Sequence, residues 1–173
     1  LLIIAANGQI ARIVEHRILT EPAFQDVHLT LMLRRPQRLN ELATNSRVTL
    51  LDGDLSDREG LTAAMKDQDL VYVAVVDTST DNLWTRNVIV AMQKAAVQRV
   101  IFSNGLGIYD EVGGPFGRWN RQQFESAFVT MLKSDQLLAA SGLAYTTIRL
   151  PWLTNQPEIK YTVTHRHDPY LGL

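Results

Sequence analysis

Six short apolar runs, each separated from the next by a helical pattern, constrain this chain more than any other feature. They are Leu1–Ile4, Val27–Leu33, Val48–Leu51, Leu70–Val76, Val100–Phe102 and Tyr145–Leu150. Continuous apolar runs of this length suit strands buried on two faces, as in parallel sheets. Parallel neighbours need crossover connections, and the intervening segments are long enough to supply them as helices. Residues 9–20 place Ile10, Ile13, Val14 and Ile18 on one helical face, and Asp57 is placed to cap a helix carrying Leu61, Ala64 and Met65. A short helix is expected near 37–44, another from the polar loop 77–81 through Ala96, and a long one near 121–141 ending at Ser141-Gly142. Residues 105–117, rich in Gly and Pro, read as a loop. The sequence thus predicts an α/β fold: a Rossmann-type doubly wound parallel sheet of six strands in the order 3-2-1-4-5-6, with helices on both faces. Residues 1–173 read as one domain. Because the chain starts inside a strand and stops without a closing helix, a few residues are expected to be missing at each end.

Composition narrows the classes. Hydrophobic residues are 46% and charged residues 20%, ordinary for a globular domain, and the formal net charge is −1. That charge gives no electrostatic case for nucleic acid or an anionic membrane. No apolar stretch approaches the roughly 20 residues needed to cross a bilayer. Cysteine is absent, which removes disulfides and thiolate chemistry and fits a cytoplasmic setting. With no basic leader visible before the first strand, no secretory signal is expected. His165 and His167 flank Arg166, but no third ligand accompanies them, so an exposed polar segment is expected and no metal.

The first strand breaks into Ala5-Ala6-Asn7-Gly8-Gln9-Ile10-Ala11, a small-residue turn opening a helix. In that context backbone N–H groups at the helix start can hold a diphosphate. Only Gly8 is glycine; Ala5 and Ala11 stand where the usual glycine-rich turn has two more. After the second strand, Arg34-Arg35 occupies the place where an acidic residue would bond an NAD ribose. Arginine there suits the 2′-phosphate of NADP, with NAD as the alternative.

Together with Leu33-Arg34-Arg35-Pro36, Gly53-Asp54-Leu55-Ser56-Asp57, Arg99-Val100-Ile101-Phe102-Ser103 and the stretch Ser141-Gly142-Leu143 through Arg149-Leu150-Pro151, this turn resembles the atypical short-chain dehydrogenase/reductases, in particular their NAD(P)H-binding, NmrA-like members. The resemblance spans nearly the whole chain. It implies that Asn7, Gly8, Gln9 and Ile10 form the phosphate loop and that Arg34, with Arg35, meets the adenosine phosphate. Asp54 and Leu55 would flank adenine, Val75 and Val76 would line the cofactor, and Asn104 and Gly105 would border the nicotinamide. The family's Ser-Tyr-Lys proton relay is not reproduced. Lys133 falls at the lysine position, but Val129 stands where the tyrosine would be, and Gly105 occupies the serine position with Ser103 two residues away. Tyr109 and Lys133 are the remaining catalytic candidates, and Tyr109, Phe116 and Trp119 could cover a flat ring.

The resemblance therefore implies an NAD(P)H-dependent oxidoreductase passing hydride to a flavin, quinone or other conjugated small-molecule acceptor, with solvent supplying the proton. A non-catalytic NADP(H)-sensing protein and an epimerase/dehydratase-like enzyme are the alternatives, and assembly as a homo-oligomer is left open.

Overall fold

The computed structural model describes residues 1–156, 161–166 and 168. Its six strands are β1 (Leu2–Ile4), β2 (Leu29–Leu33), β3 (Val48–Asp52), β4 (Leu70–Val73), β5 (Arg99–Gly105) and β6 (Ala144–Leu150). They form one sheet in the order β3-β2-β1-β4-β5-β6, every neighbouring pair parallel. The expected order is the observed one.

Period-two alternation of side chains divides the core. Leu2, Ile4, Met32, Val71, Val73, Val100 and Phe102 face one layer, where α2 (Arg58–Met65), α3 (Leu83–Lys94) and α5 (Glu125–Ala140) contribute Leu61, Met65, Val88, Met92 and Leu138. Ile3, Leu29, Leu31, Leu33 and Tyr72 face the other, against Ala11 and Ile18 of α1 (Gln9–Thr20) and Leu39 of the 3-10 segment Pro36–Leu42. Asp57 caps α2 as expected, its Oδ1 accepting from the N–H groups of Glu59 and Gly60.

Three local expectations are corrected. The fourth strand ends at Val73, and Ala74–Val76 runs on as loop at the sheet's carboxyl edge. The loop expected over 105–117 yields to α4 (Gly114–Gln123), and Phe124, with φ −122°, breaks it from α5. A helix whose sequence is rich in Gly and polar residues carries little apolar periodicity to reveal it. The third correction concerns α1, which buries Ala11, Glu15 and Ile18 and leaves Ile13 56% exposed.

Glu15 tolerates its 1% exposure because Arg12 Nη1 donates to its Oε2 at 2.9 Å, while Arg12 Nη2 reaches Glu41 Oε1 at 2.6 Å. Its Oε1 has no hydrogen-bond partner. Burial outweighs the arginine and pushes this carboxyl from about 4.5 up to about 7. Between those values the folded chain holds a proton that the unfolded chain has released. Its stabilising effect is complete below the unfolded value and is lost as pH rises through the folded one. Glu15→Gln should remove that dependence. In urea unfolding at pH 5 and pH 8, the wild type should lose on the order of 2 kcal/mol more than the variant. Parallel curves for the two proteins would mean that Glu15 stays ionised.

Candidate functional site

At the end of β1 the chain turns through Ala5 at φ 63°, a left-handed conformation costing a non-glycine residue roughly 1–2 kcal/mol. The turn closes with Gly8 N–H donating to Ala5 O at 3.0 Å, and Ala6 N–H donates to Met32 O at 3.2 Å. Gly8 is the N-cap of α1 with an ordinary extended backbone, φ −71°. A Cβ there would meet Ala5 O at 3.4 Å, an ordinary contact. Neither backbone strain nor crowding by the protein itself requires glycine at this position. No side chain caps α1, and its first turn carries no acidic residue, so the helix presents bare N–H donors and its positive end outward.

The turn that leads into this helix contributes Asn7 and Gly8 to the wall of a cavity of about 520 Å³ at the carboxyl ends of β1, β2, β3 and β4. Asn7, Gly8, Arg34, Arg35, Asp54, Leu55 and Val75, all candidates from the sequence, line it. Two further lining residues, Arg38 and Trp84, were not anticipated. Arg38 could have been found from its position four residues beyond Arg34, one turn into the segment after β2. Arg34 Nε lies 3.6 Å from Asp54 Oδ2, with the arginine side chain 82% exposed. A pair that open is worth little, leaving the guanidinium able to turn to a phosphate. The backbone N–H of Ser56, followed by other donors and Arg34, holds Asp54 below its ordinary value. Arg35 sits at φ 63°, where the chain leaves β2 for the 3-10 segment.

A second cavity of about 340 Å³ adjoins along the chain, with Ile10 and Val76 in its wall beside Gly8 and Val75 of the first. Asn104 and Gly105 line it too, together with Phe124, Met131 and Trp152. Among the described residues no ionisable side chain lines this second space. The Asn104 amide is turned inward: Nδ2 donates to Met131 O at 3.0 Å and Oδ1 accepts from Gly105 N–H at 2.8 Å. At the rim, Trp152 packs against Trp119 and Phe124 with ring centroids 5.0 and 5.1 Å apart, and its Nε1 donates to Asn120 Oδ1 at 2.8 Å. Phe116 stacks on Trp119 at 5.8 Å. Phe116 and Trp119 are rim residues on α4, whereas Phe124 and Trp152 reach the cavity wall.

The other candidates lie elsewhere. Gln9 lines neither cavity; its Nε2 donates to Asn155 Oδ1 at 2.5 Å. Tyr109 is also outside both walls, its hydroxyl donating to the Asp135 carboxylate. Burial, reinforced by Asp135, pushes that phenol well above its ordinary value, which makes it a poor proton donor. Lys133 is exposed on α5 and lines neither space, and Val129 beside it is 74% exposed. Ser103 is buried and paired with the Tyr72 hydroxyl at 3.2 Å, away from the second cavity. His165 bonds Asp168, and His167 lies outside the described residues. Among the described residues no group of three or more His, Cys, Asp or Glu is placed to hold a metal, and no helix is long and apolar enough to cross a membrane.

The chemistry of the first cavity fits a dinucleotide: the uncapped start of α1 directly after Gly8 for a diphosphate, arginines for a further phosphate and apolar side chains for a base. Comparison with known proteins agrees. A Rossmann-fold NAD(P)-binding family protein from Shigella flexneri is 31% identical, with a TM-score of 0.73, covering 98% of this chain and 75% of its own. A wide-type short-chain dehydrogenase/reductase from Veillonella parvula, solved in complex with NADP, is 27% identical with a TM-score of 0.81, covering 91% and 71%. The NADPH-dependent quinone oxidoreductase of Escherichia coli, at 23% identity and TM-score 0.63, shares the fold over 86% of this chain and 47% of that one. No curated protein matches. A family model described as NAD(P)H-binding matches residues 5–173, and the chain accordingly belongs to that NAD(P)H-binding family of Rossmann-fold, short-chain dehydrogenase/reductase-like proteins.

Proposed function

We propose that this protein is an NADPH-dependent reductase that passes hydride to a flat, conjugated small-molecule acceptor. One observation carries the reading: two cavities walled by neighbouring residues of the β1–α1 turn and of the segment after β4, one lined by three arginines, the other apolar and free of ionisable side chains among the described residues. In the first, the α1 amides would hold the diphosphate, Arg34, Arg35 and Arg38 the 2′-phosphate, and Asp54 and Leu55 the adenosine. The NADP bound to the Veillonella relative supports the choice of the phosphorylated dinucleotide. Val75 and Val76 would lead the dinucleotide past β4 towards Asn104 and Gly105.

When bound, the dinucleotide supplies the hydride. The chain's own part is to orient the ring, exclude water and stack an acceptor beside it. Phe124 and Trp152 offer aromatic surface for that stacking. With Tyr109 committed to Asp135 and no ionisable side chain lining the second cavity among the described residues, the acceptor takes its proton from solvent.

Loss of NADPH absorbance in stopped flow across flavins, quinones and other conjugated acceptors tests the proposal. Turnover with at least one is expected; tight NADPH binding with none would instead favour the sensing role, which the same lack of a proton donor also suits. Arg34→Ala should weaken NADPH by about 1–3 kcal/mol and spare NADH, measured by calorimetry. Equal weakening of the two dinucleotides would remove Arg34 from the phosphate.

A further inference from the structure

Asp77 is a buried carboxylate, 1% exposed, in the turn between β4 and α3. Its Oδ1 accepts from Ser79 N–H at 2.9 Å and Ser79 Oγ at 2.6 Å; its Oδ2 accepts from Thr85 N–H at 2.9 Å and Thr85 Oγ1 at 2.5 Å. An ionised carboxylate only accepts, so the Thr85 hydroxyl proton points to Asp77. The 2.7 Å contact between Thr85 Oγ1 and Ser134 Oγ then has one polarity: Ser134 on α5 donates to Thr85. Thr85 and Ser134 are 0% and 1% exposed, so the chain Ser134 to Thr85 to Asp77 runs through the interior. Ser79 Oγ, having given its proton to Asp77, accepts from Trp84 N–H at 3.0 Å.

The residues flanking Asp77 are the ones that face ligand. Val75 lines the first cavity, and Val76 and Thr78 line the second. Starting α3 would need a single cap acceptor. This network does more: it ties the ligand-facing turn to α5, the helix that contributes Met131 and Ala127 to the second cavity. Two neighbouring bonds reinforce the junction, Asn82 Nδ2 to Thr130 O at 2.8 Å and Asn104 Nδ2 to Met131 O at 3.0 Å.

The geometry points to Asp77 as a positioning residue for the nicotinamide half of the dinucleotide, acting through Thr85 and Ser134 to hold the β4–α3 turn against α5. This role rests on the NADPH reading above. The adenosine half would be held mainly by residues from the first, second and third βα connections; only Val75 and Trp84 join the network's turn to that cavity, so it should respond far less.

The two halves can be probed separately. Wild type, Asp77→Asn, Thr85→Val and Thr85→Ser are titrated with 2′,5′-ADP by calorimetry and with NADPH by its fluorescence. Thr85→Val should keep 2′,5′-ADP affinity within about twofold, bind NADPH about tenfold more weakly and lose the nicotinamide emission change. Thr85→Ser, which restores the hydroxyl, should return both NADPH signals. Asp77→Asn should follow Thr85→Val with a larger effect; if it does not fold, the Thr85 pair decides. Equal weakening of the two ligands, or no change in either, overturns the positioning role while leaving NADPH binding intact. Failure of wild type to bind 2′,5′-ADP overturns the NADPH reading and this role with it.

Discussion

Glu111→Ala is expected to destabilise the protein by about 3–5 kcal/mol, because it strands a buried cation. The side chains of Glu111 and Arg149 are 7% and 10% exposed, and Arg149 Nη1 donates to Glu111 Oε1 at 2.5 Å. The same carboxylate accepts from Gly107 N–H at 3.0 Å and Tyr109 N–H at 2.9 Å. Alanine removes every one of these acceptors at once. Gly107 lies at φ 100°, and beside it Leu106 enters the wall of the second cavity, so the loop that loses its anchor is one that borders this cavity. Glu111→Gln keeps the shape and should cost less, about 1–3 kcal/mol.

Acid should mimic the alanine variant. Burial pushes the Glu111 carboxyl up, but its own N–H, those of Gly107 and Tyr109, and Arg149 outweigh it and leave the group below its ordinary value. Its stabilising contribution is present above the unfolded value and lost as pH falls through the lower folded one. Urea unfolding should therefore show the gap between wild type and Glu111→Ala widest at pH 7 and shrinking below pH 4. A gap under about 1 kcal/mol at neutral pH would mean that water already solvates Arg149.

The part of the first cavity's wall that was legible in the sequence is the part built locally. Asn7, Gly8, Arg34, Arg35, Asp54 and Leu55 each follow directly on one of the first three strands, so placing the strands placed them. Strand order followed from the alternation of apolar runs and helices, since parallel pairing leaves few connections open. What escaped was built across distance. Thr85 and Ser134 stand 49 positions apart, and nothing in their spacing signals a bond. Tyr109 looked available to an acceptor, yet Asp135, 26 residues on, claims its hydroxyl. Glu15 escaped for a related reason: an apolar-face pattern ranks side chains by hydrophobicity and is blind to an arginine one turn away that makes a carboxylate buriable. Of the aromatic cluster only the rim was visible: Phe116 and Trp119 stand out in the sequence, while Phe124 and Trp152, which reach the cavity wall, do not.

Arg47→Met should cost about 2–4 kcal/mol, through the C-terminal end of α1. The Arg47 guanidinium gathers backbone carbonyls at the end of α1 and in the connection that follows. Nη2 donates to Leu19 O at 2.7 Å, and Nη1 to Phe24 O at 2.9 Å, with Gln25, Val27 and Ile18 carbonyls at 3.3, 3.3 and 3.4 Å. Ile18 and Leu19 belong to the last turn of α1, whose carbonyls have no partner within the helix and carry its negative end. Methionine keeps the apolar stem and removes every donor, so the loss reports the hydrogen bonds and charge rather than packing. Arg47→Lys, a single ammonium in place of a planar fork, should recover less than half of it. The N-terminal end of α1 is seated independently by Ala11 and the Ala5–Gly8 turn, so the NADPH dissociation constant should move by less than about threefold, under 1 kcal/mol. Urea unfolding and NADPH titration on the same samples separate the two effects. A large loss of affinity at unchanged stability would show that Arg47 sets the position of α1 rather than its persistence.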